Sequence, residues 1–223
     1  LTTIGWATNG YAPDKPKMSS LAYCLNFDTQ KAIWMSSDDA PDAYTNQFFK
    51  AGYTFGSIKE VAPDRDDMCL TASAPIAPIE APRVNVVQDT ANGERRTVTL
   101  HYVSADKAES ARLVVLAPQH VYAASADGFG DLRTGAGNWT LNIPVMPRSS
   151  EVTLTLTVDA GQPLRVRIEE DAYRLFDVSK IGFSPRPANH IPKPNTLDWW
   201  ESRNRHRGSI TSNHTILVKE FML

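Results

Sequence analysis

The chain has 223 residues, 42% hydrophobic and 22% charged, with a formal net charge of −2. That length allows one large domain or two small ones with a real core. The charge balance excludes a global positive field that would draw the protein to polyanions such as nucleic acid.

The chain opens on Leu1, and no charged-then-apolar leader follows it. It reads as a processed chain or an excised fragment, so missing targeting signals say little about location. No apolar run approaches the roughly 18 residues that suggest a membrane span.

The first predicted element is "LAYCLNF", where alternation places Leu21, Tyr23, Leu25 and Phe27 on one face of a strand. A turn over Asp28 to Lys31 leads into a second strand, "AIWMSS". The stretch "DDAPDAYTNQFFKAG" predicts the only helix, near residues 41–50. Asp38 or Asp39 would cap it, Pro41 would sit in its first turn, and Gly52 would lie beyond its end. Tyr44, Phe48 and Phe49 would form its apolar stripe.

Between Val61 and Pro82 the proline-rich "APDRDDMCLTASAPIAPIEAP" has no sustained period and reads as a connection. Beyond it, "TVTLHYV" turns Val98, Leu100 and Tyr102 inward, and "ARLVVL" follows a polar turn around Asp106. In "VTLTLTV", Val152, Leu154, Leu156 and Val158 share one face, with Thr153, Thr155 and Thr157 on the other. In "LRVRIE", Leu164, Val166 and Ile168 oppose Arg165, Arg167 and Glu169. The linking "DAGQP" suggests a hairpin, and one dry and one wet face per strand suggests an antiparallel sheet. "TILVKEF" is the last strand.

The expected fold is mainly β, an antiparallel β-sandwich with one short helix. Residues 1–60 would form a hairpin and helix packing on the sandwich, 61–82 the connection, and 83–223 the sandwich.

Little of this sequence suggests chemistry. None of His101, His120, His190, His206 and His214 pairs with another at metal spacing, and there is no His-Glu-x-x-His stretch. No Gly-x-Ser-x-Gly elbow or phosphate cradle appears, and the glycines of "GFGDLRTGAG" read as a connection between strands. The acidic run Glu169 to Asp171 reads as a solvated strand end. "DRDD", Asp64 to Asp67, lacks the glycine and distal glutamate of a calcium loop. Asn138-Trp139-Thr140 and Asn213-His214-Thr215 are glycosylation sequons, relevant only in a secreting eukaryote. Catalytic, metal and cofactor residues are therefore expected to be absent from this chain.

Two readings of Cys24 and Cys69 stand open. A disulfide formed in an oxidising compartment would stabilise the fold by about 4 kcal/mol in the chain-entropy model. The other reading is two separate buried thiols.

The segment "DWWESRNRHRG" looks most like a site, with Trp199, Trp200, Arg203, Arg205 and Arg207 as interaction candidates. Tryptophan beside guanidinium groups suits a lipid headgroup layer or a protein partner. Nucleic acid is not expected, because no binding motif accompanies the loop.

Several stretches together resemble the C-terminal region of multi-pass, membrane-bound zinc aminopeptidase-type metallopeptidases. These are the bacterial relatives of the endoplasmic-reticulum metallopeptidase and the vacuolar membrane protease. Tyr23, Asp28, Thr29, Lys31, Ala32, Trp34, Ser36, Ser37, Asp38, Asp42 and Thr45 stand where that family's opening pattern puts them, with Tyr44 in place of a tryptophan. "RPANHIPKP" and "TILVKEFML" resemble its closing elements, and the "DWWESRNRHRG" insertion departs from it.

The resemblance implies a non-catalytic, extracytoplasmic domain, soluble in itself, that packs on the parent's protease domain and membrane helices, or on the membrane surface. It would hold no cofactor of its own, the zinc belonging to the parent's catalytic domain. The alternative is a free-standing β-sandwich module for carbohydrate or protein, with Trp139 or Trp199 and Trp200 as stacking platforms.

Overall fold

The computed structural model describes residues 12, 14–105, 107–193 and 213–223. Among the described residues the elements are mostly strands in antiparallel ladders with one short α-helix, as the alternating patterns predict. The chain divides into two compact units. The first comprises Leu1–Cys24, Lys31–Ala77 and Arg174–Thr215; the second comprises Leu25–Gln30, Pro78–Tyr173 and Ile216–Leu223. Chain order hides this division, because the last two stretches return to units begun far upstream.

In the first unit, β1 (Lys17–Ser19) precedes β2 (Ala22–Asn26), and a turn leads to β3 (Lys31–Ser36). Helix α1 is a single turn, Asn46–Phe49, followed by β4 (Thr54–Ser57) and β5 (Met68–Ser73). The strands hydrogen-bond in the order β2, β3, β5, β4. Every residue of β2 is buried, so this strand has no wet face and its alternation says less than expected.

Segment 61–82 is not wholly a connection, since it contains β5, in which Cys69, Leu70 and Ala72 are buried. Six residues covered on parts of both faces leave no clean period to read.

The core of this unit is aromatic. Trp34 is fully buried and meets Tyr23, Phe48 and Phe183 edge-on, with ring centroids 5.1, 4.6 and 5.4 Å away. The Tyr23 hydroxyl donates to Pro75 O and accepts from Ala77 N–H, which fixes two backbone groups of the proline-rich stretch.

The helix is shorter than its sequence window, and neither Asp38 nor Asp39 caps it. Asp42 accepts from the N–H groups of Tyr44 and Thr45 at 2.9 and 2.7 Å. The Thr45 hydroxyl accepts from Asp42 N–H and donates to the Asp42 carboxylate. This local competition for backbone donors holds 42–45 in a turn and delays the helix to Asn46. Gly52, at φ +119°, ends it with a bond from its N–H to Phe49 O.

After the proline-rich stretch the second unit has a long hairpin of β6 (Arg83–Asn92), which no expectation covered, and β7 (Arg95–Val103), which contains the expected strand "TVTLHYV". Almost all of β6 is exposed, so it has no buried stripe to betray it. The signal that could have found it is Gly93, which opens the two-residue loop Gly93-Glu94 at φ +61°, where glycine is favoured.

Then come β8 (Ser110–Val115), β9 (His120–Val121), β10 (Ala123–Ala126), β11 (Gly130–Asp131) and β12 (Gly135–Ala136). They are followed by β13 (Trp139–Ile143), β14 (Glu151–Asp159) and β15 (Arg165–Ala172). The chain re-enters the first unit with a 3₁₀ turn, Val178–Ile181, and β16 (His190–Pro192), and ends in β17 (His214–Met222).

One sheet of the second unit has the order β11, β10, β14, β7, β6. In it Leu156 lies opposite Val98 on one side and Ala124 on the other, and Leu154 opposite Leu100 and Ala126. Other strands of the unit run β13, β8, β15, β17, with Val166 opposite Val115 and Ile168 opposite Leu113. The inner faces of both merge into one apolar cluster, the filling of a sandwich. On the outer face, threonine hydroxyls pair across strands: Thr97 with Thr157 at 3.3 Å and Thr99 with Thr155 at 3.2 Å.

The expected hairpin through "DAGQP" does not form. β14 pairs with β7 and β10, while β15 pairs with β8, so the loop crosses between sheets. Buried Gln119 anchors that crossing, donating to Gln162 O at 2.9 Å and accepting from Asp159 N–H at 3.2 Å. Alternation determines which side chains face inward; it does not choose the partner strand.

Glu169 and Glu170 are likewise no solvated strand end, being 0% and 1% exposed. Glu170 accepts a 2.7 Å hydrogen bond from the Tyr102 hydroxyl, and Glu169 lies 3.5 Å from the Arg112 guanidinium. Burial, and then the Glu170 carboxylate, push the Tyr102 hydroxyl far above its ordinary pKa.

Candidate functional site

The interaction candidates Trp199, Trp200, Arg203, Arg205 and Arg207 lie outside the described residues. What is described is the ground on either side of them, Lys193 after β16 and Asn213 before β17, both in the first unit. There β1 and β16 form a parallel ribbon, with Lys17 opposite His190, Met18 opposite Ile191 and Ser19 opposite Pro192. Its polar side chains converge on two anchors, Asp42 and Arg186.

Arg186 precedes Pro187, which cannot donate a backbone bond, and its side chain reaches back to the ribbon. One guanidinium nitrogen donates to Ser19 O and Ile191 O, each at 3.3 Å, and to the Ser19 hydroxyl. The guanidinium carbon lies 4.9 Å from the centroid of the Tyr44 ring, a cation–π contact. Burial lowers the Arg186 pKa from its ordinary value, against the pull of Tyr44, Asp42 and Asp38. Burial raises that of Tyr44, partly offset by the guanidinium.

Asp42 places its second carboxylate oxygen 3.5 Å from the Lys17 ammonium and 3.7 Å from His190 Nδ1. Its side chain is 7% exposed and that of His190 8%. Burial pushes the Asp42 carboxyl up, but the Thr45 hydrogen bonds and the charges of Lys17 and His190 outweigh it. The net shift is below the usual value. Beside it, Asp38 accepts from Ser20 N–H at 2.7 Å and lies 3.3 Å from the Lys193 ammonium. The Ser20 hydroxyl accepts from Ser37 N–H at 3.0 Å, and the Ser36 hydroxyl from Asp38 N–H at 3.1 Å.

This arrangement neutralises charge and fixes backbone at the foot of the 194–212 segment. It brings no serine hydroxyl against a histidine; the Ser19 hydroxyl meets a guanidinium, which cannot act as a base. Among the described residues no group of three or more His, Cys, Asp or Glu stands where it could hold a metal ion.

Because the folded pKa of Asp42 is depressed, its charge contributes stability above the ordinary carboxylate range. That contribution is lost as pH falls through the folded value. Asp42→Asn keeps an acceptor for Thr45 but removes the charge. It is expected to cost on the order of 1 kcal/mol at pH 7, the difference between charged and neutral hydrogen bonds. Denaturant melts at pH 7 and pH 3 should show the gap to the unsubstituted protein narrowing at the lower pH. An equal gap at both would assign the effect to shape rather than charge.

The remaining candidates fall elsewhere. His101 is partly exposed on β7, 3.3 Å from Glu151. His190 belongs to β16, and Asp42 faces it. Asp66 pairs with Lys59, and Asp67 lies 4.0 Å from Arg65.

Cys24 and Cys69 are both buried, and neither is in a disulfide. Their strands, β2 and β5, are separated by β3, a spacing of roughly 9.6 Å at 4.8 Å per strand, beyond the ~7 Å that a disulfide spans. Burial, and then Asp67, push the Cys69 thiol up to about 12. Trp139 is 8% exposed, and its indole N–H donates to Arg133 O, so it is no stacking platform.

The chain matches no family model, no curated protein and no solved structure.

Proposed function

We propose that this chain is the non-catalytic C-terminal domain of a membrane-anchored zinc metallopeptidase of the aminopeptidase type. It would lie on the extracytoplasmic face and pack against the protease domain and membrane helices of its parent. The zinc and the peptide chemistry belong to the parent's catalytic domain; this chain contributes packing and control of access.

One observation carries the reading. The opening and closing stretches through which the chain resembles that family bond to each other across the sequence. Asp28 accepts from the Lys219 ammonium at 2.7 Å and from Glu220 N–H at 2.6 Å. Asp38 meets Lys193, and Asp42 meets His190. The Ser36 and Thr45 hydroxyls accept from the N–H groups of Asp38 and Asp42, and the Ser37 N–H donates to the Ser20 hydroxyl. Trp34 and Tyr23 are buried in the core of the first unit. The residues of the likeness thus work as framework, which is what a packing domain needs and what a reactive centre does not.

The native gene product tests the reading directly. Upstream of Leu1 it should encode a domain with His, Asp and Glu ligands for two zinc ions, then several apolar spans. A native product lacking both would overturn it. In this reading the "DWWESRNRHRG" segment docks on the parent or on the membrane beside it. Replacing Trp199 and Trp200 with alanine should then shift the Tm of the isolated domain by only about 1–2 °C, as surface changes within ~0.5 kcal/mol do. The same variant should weaken assembly with the protease portion or binding to vesicles. Unfolding of the isolated domain would instead make these tryptophans core.

A further inference from the structure

The two sequons differ in what folding does to them. Asn138 is exposed and follows Gly137, which turns the chain at φ +86°. Thr140 is exposed on β13, which ends its order of strands among the described residues. The middle residue, Trp139, turns inward, its indole N–H donating to Arg133 O. The Asn138 side-chain oxygen accepts from Ala117 N–H at 3.0 Å. That bond uses the amide oxygen and leaves the nitrogen, the atom a glycan would take.

Asn213 is the opposite case. It sits at φ +64° with its N–H bound to Leu21 O. His214 and Thr215, which follow it, are 5% and 0% exposed. The Thr215 hydroxyl donates to Arg174 O at 2.9 Å and accepts from Phe176 N–H at 3.3 Å. A sequon threonine engaged twice by backbone is part of the fold.

We propose that Asn138 is an acceptor site for an N-linked glycan and that Asn213 is not. The co-substrate is a lipid-linked diphospho-oligosaccharide. The Asn138 amide nitrogen bonds to the sugar C1, the C1–O bond to the lipid diphosphate breaks, the lipid diphosphate leaves, and the nitrogen loses one proton. Attached there, the glycan projects from an exposed turn beside the last described strand of its sheet and leaves the Ala117 bond in place. The assignment is independent of the metallopeptidase reading.

The test is secretion of the whole chain from a eukaryotic cell behind a cleavable signal peptide, with mass read before and after endoglycosidase. The expected result is one glycosidase-sensitive step. Asn138→Gln and Thr140→Ala should each abolish it, while Thr140→Ser and Asn213→Gln should keep it. Using both Asn138→Gln and Thr140→Ala guards against one of them failing to fold. The secreted, unsubstituted chain should melt at the same temperature with and without the glycan. A step that survives Asn138→Gln, or no step in the unsubstituted chain, overturns the proposal.

Discussion

Leu156→Ala is expected to destabilise the protein by about 2–5 kcal/mol, the range for emptying a large aliphatic side chain from a packed core. Leu156 is fully buried in the middle of β14, flanked in register by Val98 and by Ala124. Neither neighbour can fill the space: Ala124 has no further side-chain atoms, and Val98 is stiff about its first torsion. Denaturant unfolding followed by circular dichroism measures the loss, which should appear as a Tm lowered by roughly 2–4 °C per kcal/mol in a chain of this size. Thr155→Ala is the control. Thr155 faces outward and its hydroxyl pairs with that of Thr99 at 3.2 Å, so its removal should cost about 0.2–1 kcal/mol. A Leu156→Ala loss under half a kcal/mol would reverse the assignment of inner and outer faces.

Trp34→Ala should cost as much or more, about 3–5 kcal/mol, the range for buried aromatic truncations. Trp34 is fully buried, with Phe48 closest at 4.6 Å and Tyr23 at 5.1 Å, and Phe176 stacks at 6.1 Å. Each such aromatic pair contributes about 0.5–1.5 kcal/mol beyond the area it buries. Trp34→Phe makes the mechanism testable. Among the described residues the indole N–H has no hydrogen-bond acceptor, so replacing it sacrifices no bond there, and a phenyl ring retains most of the contacts. The phenylalanine variant should therefore keep most of the stability that the alanine variant loses. Equal losses would locate the effect in the indole nitrogen rather than in ring packing.

Much of the second unit could be read from single strands. Val98, Leu100 and Tyr102, like Val152 to Val158 and Leu164 to Ile168, are buried at every alternate position that the pattern marks. Alternation is the direct imprint of a sheet with one wet face, and it survives without knowledge of neighbours. The helix was legible as an aromatic stripe with a glycine behind it, but its length was not. Asp42 and Thr45 exchange bonds that only the folded turn brings within reach. β6 escaped because an exposed edge strand carries no apolar period, and β5 because six residues with cover on both faces look like any short apolar run. The charged foot of the 194–212 segment was invisible for another reason: Asp42, Arg186 and His190 are ordinary residue types, and their meaning lies in who faces them.

The sequence by itself determined the class of this protein: mainly β, with strands that turn one apolar face inward, and a short aromatic-striped helix. Only the tertiary structure decided the pairing. It sent β14 and β15 into different sheets, held Cys24 and Cys69 a strand apart, and buried Glu169 and Glu170 against Arg112 and Tyr102. It also joined Asp28 to Lys219, which stand 191 positions apart. The physical reason is that facing is a local property of a strand, set by the alternation of its own side chains. Partnership is non-local, chosen by the competition of all strands for a limited number of ladder positions and for cover over their apolar faces.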